Sequence, residues 1–190
     1  MNKSKTPTRQ ARKEREKLRS SVFLGSVVLH SALGTCDRLR TASGVIKDKR
    51  LRGVGYNGSV SGLAHCDDVG HLMVEGHCLR TRHGEKNLIS NTDREHLRGA
   101  KVIVIGTPCL DCLKDLAHEG VAEVNYTGTY NNSIGKEHIE YIAKEKGMVL
   151  KYLNVDFADL FQELFNNLSK KGGILEWAGY KLEVVKKKIK

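Results

Sequence analysis

The chain has 190 residues, with 32 Lys+Arg against 22 Asp+Glu and a formal charge of +10. An apolar share of 39%, a charged share of 28% and only two prolines exclude a disordered or fibrous chain and leave enough apolar mass for one buried core. No apolar run approaches the roughly 18 residues of a membrane span, and the first twenty residues lack a signal-peptide core, so a cytoplasmic protein without a membrane partner is expected.

The charge sits at the two ends. Residues 1–20 carry eight basic side chains against Glu14 and Glu16, and residues 181–190 carry five lysines against Glu183, so the 160 residues between them are neutral. A nucleic-acid reader carries its basic stripe on the folded face that reads, so these ends are expected as solvated tails, with nucleic acid not an expected partner.

Arg9 to Leu33 reads as one helix, charged at first and then apolar at Val22, Phe23, Val27, Val28, Leu29 and Leu33, with Gly34 as its stop. Ala42–Ile46 and Leu51–Tyr56, joined by a turn at Lys47–Lys49, read as a β-hairpin that feeds the turn Gly55-Tyr56-Asn57-Gly58-Ser59. Residues 60–82 hold three histidines and two cysteines with few strand or helix signals and are expected as a long loop held by something. A helix opens at His83 and runs to about Ile89. Lys101–Ile105 reads as a buried strand, and Thr107-Pro108 as the N-cap and first position of a helix ending near Gly120. Val121–Tyr126 is a strand, Lys136–Lys146 a helix, Met148–Leu153 a strand, and Asp156–Leu168 an amphipathic helix. Strands alternating with helices predict an α/β protein, a layered sheet with helices on both faces.

Five cysteines, Cys36, Cys66, Cys78, Cys109 and Cys112, are an odd number, which argues for metal or catalysis over a disulfide framework. Cys109 and Cys112 stand three apart at a helix start, where both sulfurs lie on one face and the helix N-terminus favours the thiolate. His83 adds a nitrogen, giving three ligands and an open fourth position, the mark of a catalytic zinc site. Glu85, two residues past His83, suits a general acid/base. The order His83-Gly84-Glu85 followed by Pro108-Cys109-Leu110-Asp111-Cys112 is the H-x-E…P-C-x-x-C pattern of zinc deaminases.

With Thr35-Cys36-Asp37-Arg38, Gly55-Tyr56-Asn57-Gly58-Ser59, the run from His65 to His71 and Gly76-His77-Cys78, these motifs make the chain resemble the deoxycytidylate (dCMP) deaminases of bacterial and phage type, in the cytidine deaminase superfamily. The resemblance spans Gly34 to Tyr130. It implies a three-layer α/β/α fold with a central mixed sheet of about five strands, usually assembled as a hexamer, and the conversion of dCMP to dUMP and ammonia that supplies thymidylate synthesis. On this reading residues 21–155 form the deaminase domain, 1–20 a basic N-terminal segment and 156–190 a C-terminal helix and basic tail. Water activated by zinc attacks C4 of cytosine while Glu85 moves protons; Asn57 matches the asparagine that holds the sugar, Ser59 a residue near the phosphate, and the Gly84 backbone N–H faces the pyrimidine carbonyl. Arg94 lies where a family arginine grips the phosphate, its alternative being a solvated charge between Asp93 and Glu95. Tyr130 matches an aromatic residue that stacks near the nucleotide, its alternative being core packing at a strand end.

The resemblance also implies a second, structural zinc held by Cys36, Cys66, Cys78 and a histidine, which would order the loop of residues 60–82. His71 is the expected fourth ligand and His77 the alternative, because adjacent residues such as His77 and Cys78 rarely point the same way. Regulation by dCTP and dTTP, with Mg accompanying the triphosphate, is a further family feature. Gly84, Leu88, Val60 and Ile105 depart from the common alanine, alanine, proline and threonine, and they bear on substrate detail while leaving every metal ligand in place. Two other readings remain: a deaminase of another cytosine nucleotide, nucleoside or polynucleotide, and a catalytically silent zinc-binding assembly protein.

Overall fold

The hairpin β1 (Ala42–Lys47) and β2 (Arg50–Tyr56) turns on two residues, Asp48 and Lys49, with φ of 51° and 60°. Two left-handed residues in a row give the twist that matches a two-residue hairpin to its strands. The structure is a computed structural model and describes residues 6–128 and 136–187. The chain divides into two compact units. One is the contiguous segment 26–154; the other joins residues 1–25 to residues 155–190.

Within 26–154, β1 also pairs antiparallel with β5 (Lys101–Val104), and parallel pairing continues through β6 (Glu123–Tyr126) to β7 (Val149–Tyr152). The strand order is β2-β1-β5-β6-β7, a mixed five-stranded sheet. The parallel pairs are joined through α5 (Leu110–His118) and α6 (Lys136–Glu145), as parallel strands require a crossover. One sheet face presents Val45, Val102, Val104 and Val124 to Leu88 of α3 (Gly84–Ser90), Leu97 of α4 (Arg94–Leu97), Leu113 and Leu116 of α5, and Ala143 of α6. Leu88, Leu113 and Leu116 are fully buried, so truncating any one to alanine costs about 2–5 kcal/mol. On the opposite face, Gly44 meets Val27 of α1 (Arg9–Ser31): a Cβ at Gly44 would lie 2.4 Å from the Val27 Cγ2. Val27 is buried, so helices cover both faces, and the three-layer α/β/α architecture is as the sequence predicts.

Several elements differ from expectation. Residues 60–82 contain α2 (Cys66–Val69) and a small antiparallel hairpin of β3 (Met73–Val74) and β4 (His77–Cys78), turned on Glu75 and Gly76, both at positive φ. The helix expected from Thr107 starts at Leu110 and is capped by Cys109, whose sulfur accepts a hydrogen bond from the Cys112 amide; the Thr107 hydroxyl instead donates to the Gly128 carbonyl at 2.6 Å. The one-turn helix α4 carried no signal of its own.

In the other unit, Gly25 packs against α7 (Phe157–Leu168): a Cβ there would come within 2.6 Å of Leu164. Lys17 pairs with Glu163 at 3.6 Å. Asp156 caps α7 by accepting from the amides of Ala158 and Asp159. After the short helix α8 (Ile174–Trp177) the chain returns along α7: the Val184 amide donates to Gln162, and Lys186 pairs with Asp156 at 2.6 Å.

Candidate active site

Two helix starts meet in one place. His83 caps α3 in extended conformation, Cys109 caps α5, and Cys112 lies one turn inside α5. His83 Nδ1 is 3.3 Å from Cys112 Sγ and 3.5 Å from Cys109 Sγ, and the three donor atoms lie within 4.8 Å of one another. A nitrogen and two sulfurs converging at this spacing fit the ligand set of a catalytic zinc. The hydrogen bond with the Cys112 thiol, with help from His83 and the Cys112 amide, overcomes burial and brings the Cys109 thiol down to about 4. The same hydrogen bond and burial push Cys112 up. The two thiols are thus pushed in opposite directions, and a bound cation would favour the thiolate of both.

Glu85 is only 5% exposed. Burial raises its carboxyl, against the opposing pull of a charged His83. A carboxyl lifted toward neutrality, in the first turn of α3 beside the three ligands, suits a group that takes up and returns a proton. Glu85, His83 and Cys109 line a cleft of about 110 Å³, together with Thr41, Asn57 and the stretch from Val104 to Thr107.

The second expected cluster is also assembled. Donor atoms of Cys36, Cys66, His71 and Cys78 all lie within 4.8 Å, with Cys66 Sγ 3.6 Å from Cys78 Sγ and Cys36 Sγ 3.8 Å from His71 Nδ1. His71 is the histidine brought in, while His77 lines the cleft. Burial pushes the Cys66 thiol up to about 11. Burial opposes the Cys78 thiolate too, but hydrogen bonds from the Leu72 backbone, Thr81 and Cys66 outweigh it and bring Cys78 to about 6. Three sulfurs and one imidazole nitrogen make a closed set of structural type. Cys36 and Cys78 face the same cleft as Glu85, as do Arg38 and Thr81.

The remaining candidates divide. Asn57 is buried in the cleft wall, where its side chain accepts from the Thr41 amide at 2.9 Å and donates to the Leu39 carbonyl at 2.9 Å. It clamps the segment that leads into β1, and one amide hydrogen stays uncommitted among the described contacts. Gly84 packs on β2, where a Cβ would lie 3.2 Å from the Gly55 carbonyl oxygen. The Ser59 hydroxyl donates to the Ala64 carbonyl, and Ser59 is not among the cleft residues. Arg94 is not brought to the cleft either: it is exposed and pairs with Glu119 at 2.8 Å. Tyr130 lies outside the described residues. Sequence reasoning missed Asp37, which is 2.7 Å from His71 Nε2, and Thr81, whose hydroxyl is 3.2 Å from Cys66 Sγ. Adjacency to Cys36 and a spacing of three from Cys78 were the only signals for them.

The sequence model of the cytidine and deoxycytidylate deaminase zinc-binding region matches residues 17–128. ComE operon protein 2 of Bacillus subtilis strain 168 is 31% identical over 136 residues, 70% of this chain and 70% of that protein. The deoxycytidylate deaminase of Mycobacterium phage D29 is 33% identical over 116 residues, 55% of this chain and 90% of that protein. Among solved structures, the dCMP deaminase of cyanophage S-TIM5 in complex with dCMP and dUMP aligns with a TM-score of 0.57 at 19% identity, covering 70% of this chain and 96% of that one, which is a likeness of fold.

Proposed function

Because the chain belongs to the cytidine and deoxycytidylate deaminase family, we propose that it hydrolyses dCMP to dUMP and ammonia, supplying dUMP for thymidylate synthesis. The observation that carries this reading is a buried Glu85 in the same cleft as His83 and Cys109, with Cys112 closing the set. The phage D29 relative supports the choice of dCMP.

His83, Cys109 and Cys112 would hold the zinc, which when bound supplies Lewis acidity that makes water a nucleophile near neutral pH. Glu85 accepts the proton of the attacking water and returns it to the departing amine, a role its carboxyl fits because burial favours the protonated form while a charged His83 favours the carboxylate. Val104 to Thr107 and Thr41 shape the cleft around the base, and the Gly84 amide, next to His83 at the start of α3, would serve as the backbone donor to the pyrimidine carbonyl. Asn57 orders the Leu39–Thr41 segment and offers its uncommitted N–H to the sugar.

The reading extends to a structural zinc at Cys36, Cys66, His71 and Cys78, to a homo-hexamer in the cytoplasm, and to dCTP and dTTP as effectors with Mg. Ammonia release from zinc-loaded protein, with dCMP beside CMP, deoxycytidine and dCTP, tests the central assignment. Preferential turnover of dCMP supports it; turnover of deoxycytidine alone, or of none with or without dCTP as activator, removes it.

A further inference from the structure

The two basic ends lie more than 150 residues apart in sequence, yet they belong to one compact unit, residues 1–25 with 155–190. That unit holds fifteen Lys+Arg against seven Asp+Glu, a charge of +8 out of the chain's +10. The convergence has visible causes. Gly25 packs on Leu164 and Phe161 of α7, and Lys17 reaches Glu163. The C-terminal stretch of chain is tied back along α7 by Val184 to Gln162 and by Lys186 to Asp156 and Asp159.

On α1, Arg9, Arg12, Lys13 and Arg15 are exposed and have no carboxylate partner among the described residues. In the same unit Trp177 is 81% exposed and Tyr180 67% exposed. Cations placed without partners, together with aromatic faces open to solvent, are what a protein uses to track a phosphate backbone and stack unpaired bases.

We infer that the unit formed by residues 1–25 and 155–190 binds single-stranded nucleic acid, with Arg12, Lys13 and their helix neighbours on the phosphates and Trp177 and Tyr180 on the bases. Three other occupants fit less well. A lipid surface needs a wide apolar helix face, but from Arg9 to Arg19 the only apolar residues are Ala11 and Leu18. A second copy docking through the same unit would bring +8 against +8. Duplex nucleic acid offers the phosphates but hides the base faces that the two aromatic side chains would use.

The test is fluorescence anisotropy of full-length protein with a labelled oligothymidylate of about 16 nucleotides, at salt from about 50 to about 200 mM. Binding should weaken linearly in log–log form as salt rises. Arg12→Ser with Lys13→Ser should flatten that slope by about 1.4, since each phosphate contact on a single strand contributes about 0.7. Trp177→Ala with Tyr180→Ala should weaken binding about fivefold or more while leaving the slope in place. Both double variants change exposed side chains and should keep the parent's melting temperature and deaminase rate. Absence of binding at the lowest salt overturns the proposal. So does equal binding by all three proteins, a duplex bound as tightly as the single strand, or capture by phosphatidylserine vesicles without oligonucleotide binding.

Discussion

Asp37 and His71 form a carboxylate–imidazole pair, with Asp37 Oδ1 2.7 Å from His71 Nε2 while His71 Nδ1 faces Cys36 Sγ at 3.8 Å. The carboxylate holds the proton on Nε2, which leaves Nδ1 with its lone pair directed at the cluster, as outer partners of metal-binding histidines do. Asp37→Ala should therefore lower zinc affinity at the Cys36/Cys66/His71/Cys78 cluster about 10–100-fold. Competition against a chromophoric chelator would show it as one weakened site beside one unchanged site. Two sites of parental affinity would remove the role given to Asp37.

Glu85→Gln keeps shape and volume but deletes the proton-carrying oxygen. Zinc content and melting temperature should stay at parental values, while turnover of dCMP should fall by about 10²–10⁴ or more. Metal analysis and ammonia release on the same preparation separate this result from loss of the metal. Turnover within a few-fold of the parent would assign the proton transfers to another group.

Gly55 and Gly84 test how closely β2 and α3 approach. A Cβ on Gly55 would sit 2.1 Å from the Leu88 amide nitrogen and 2.4 Å from the Gly84 carbonyl oxygen, both backbone atoms that cannot turn away. Gly55→Ala should cost about 3 kcal/mol. Gly84→Ala, whose closest new neighbour is at 3.2 Å, should cost less than about 1 kcal/mol. Urea denaturation of the two variants should show that gap, and equal midpoints would contradict so close a packing of β2 on α3.

The Lys186 ammonium, with the Asp159 and Ala158 amides, holds the Asp156 carboxyl below the usual carboxylate range. A depressed carboxylate stabilises the fold fully above its ordinary pKa of about 3.9, and that contribution fades as pH falls through the lowered value. Asp156→Asn should therefore melt below the parent at neutral pH, and the two curves should converge in the acid range. Parallel melting curves across that range would mean the pair does not hold the C-terminal segment to α7.

The sequence made much of this fold and site legible because the signals were local. Val45, Val102 and Val124 lie in short apolar stretches whose strand character needs no distant partner, and the convergence of His83, Cys109 and Cys112 follows from spacing at helix starts. The misses are cases in which a distant group decides. Thr107 satisfies the local rule for a cap, yet its hydroxyl goes to Gly128, so the cap falls to Cys109. Arg94 between two acidic neighbours gave no sign that Glu119 would take it. The β3–β4 hairpin is too short to show alternation, and it becomes visible only through the turn at Glu75 and Gly76 and the sulfurs it brings together.

The division of the chain also sets an order of assembly during synthesis. The sheet unit, residues 26–154, is contiguous, so all its strand pairings can form once Asn154 has left the ribosome. The unit built from residues 1–25 and 155–190 has no such freedom, because the basic start of α1 can meet α7 only after residues 157–168 are made. At about 5–20 residues per second, the start of α1 waits through the synthesis of the whole sheet unit before α7 exists. A nascent chain stalled with Asn154 just outside the ribosome should therefore already bring together both cysteine clusters, while residues 1–25 remain without α7 as their packing surface.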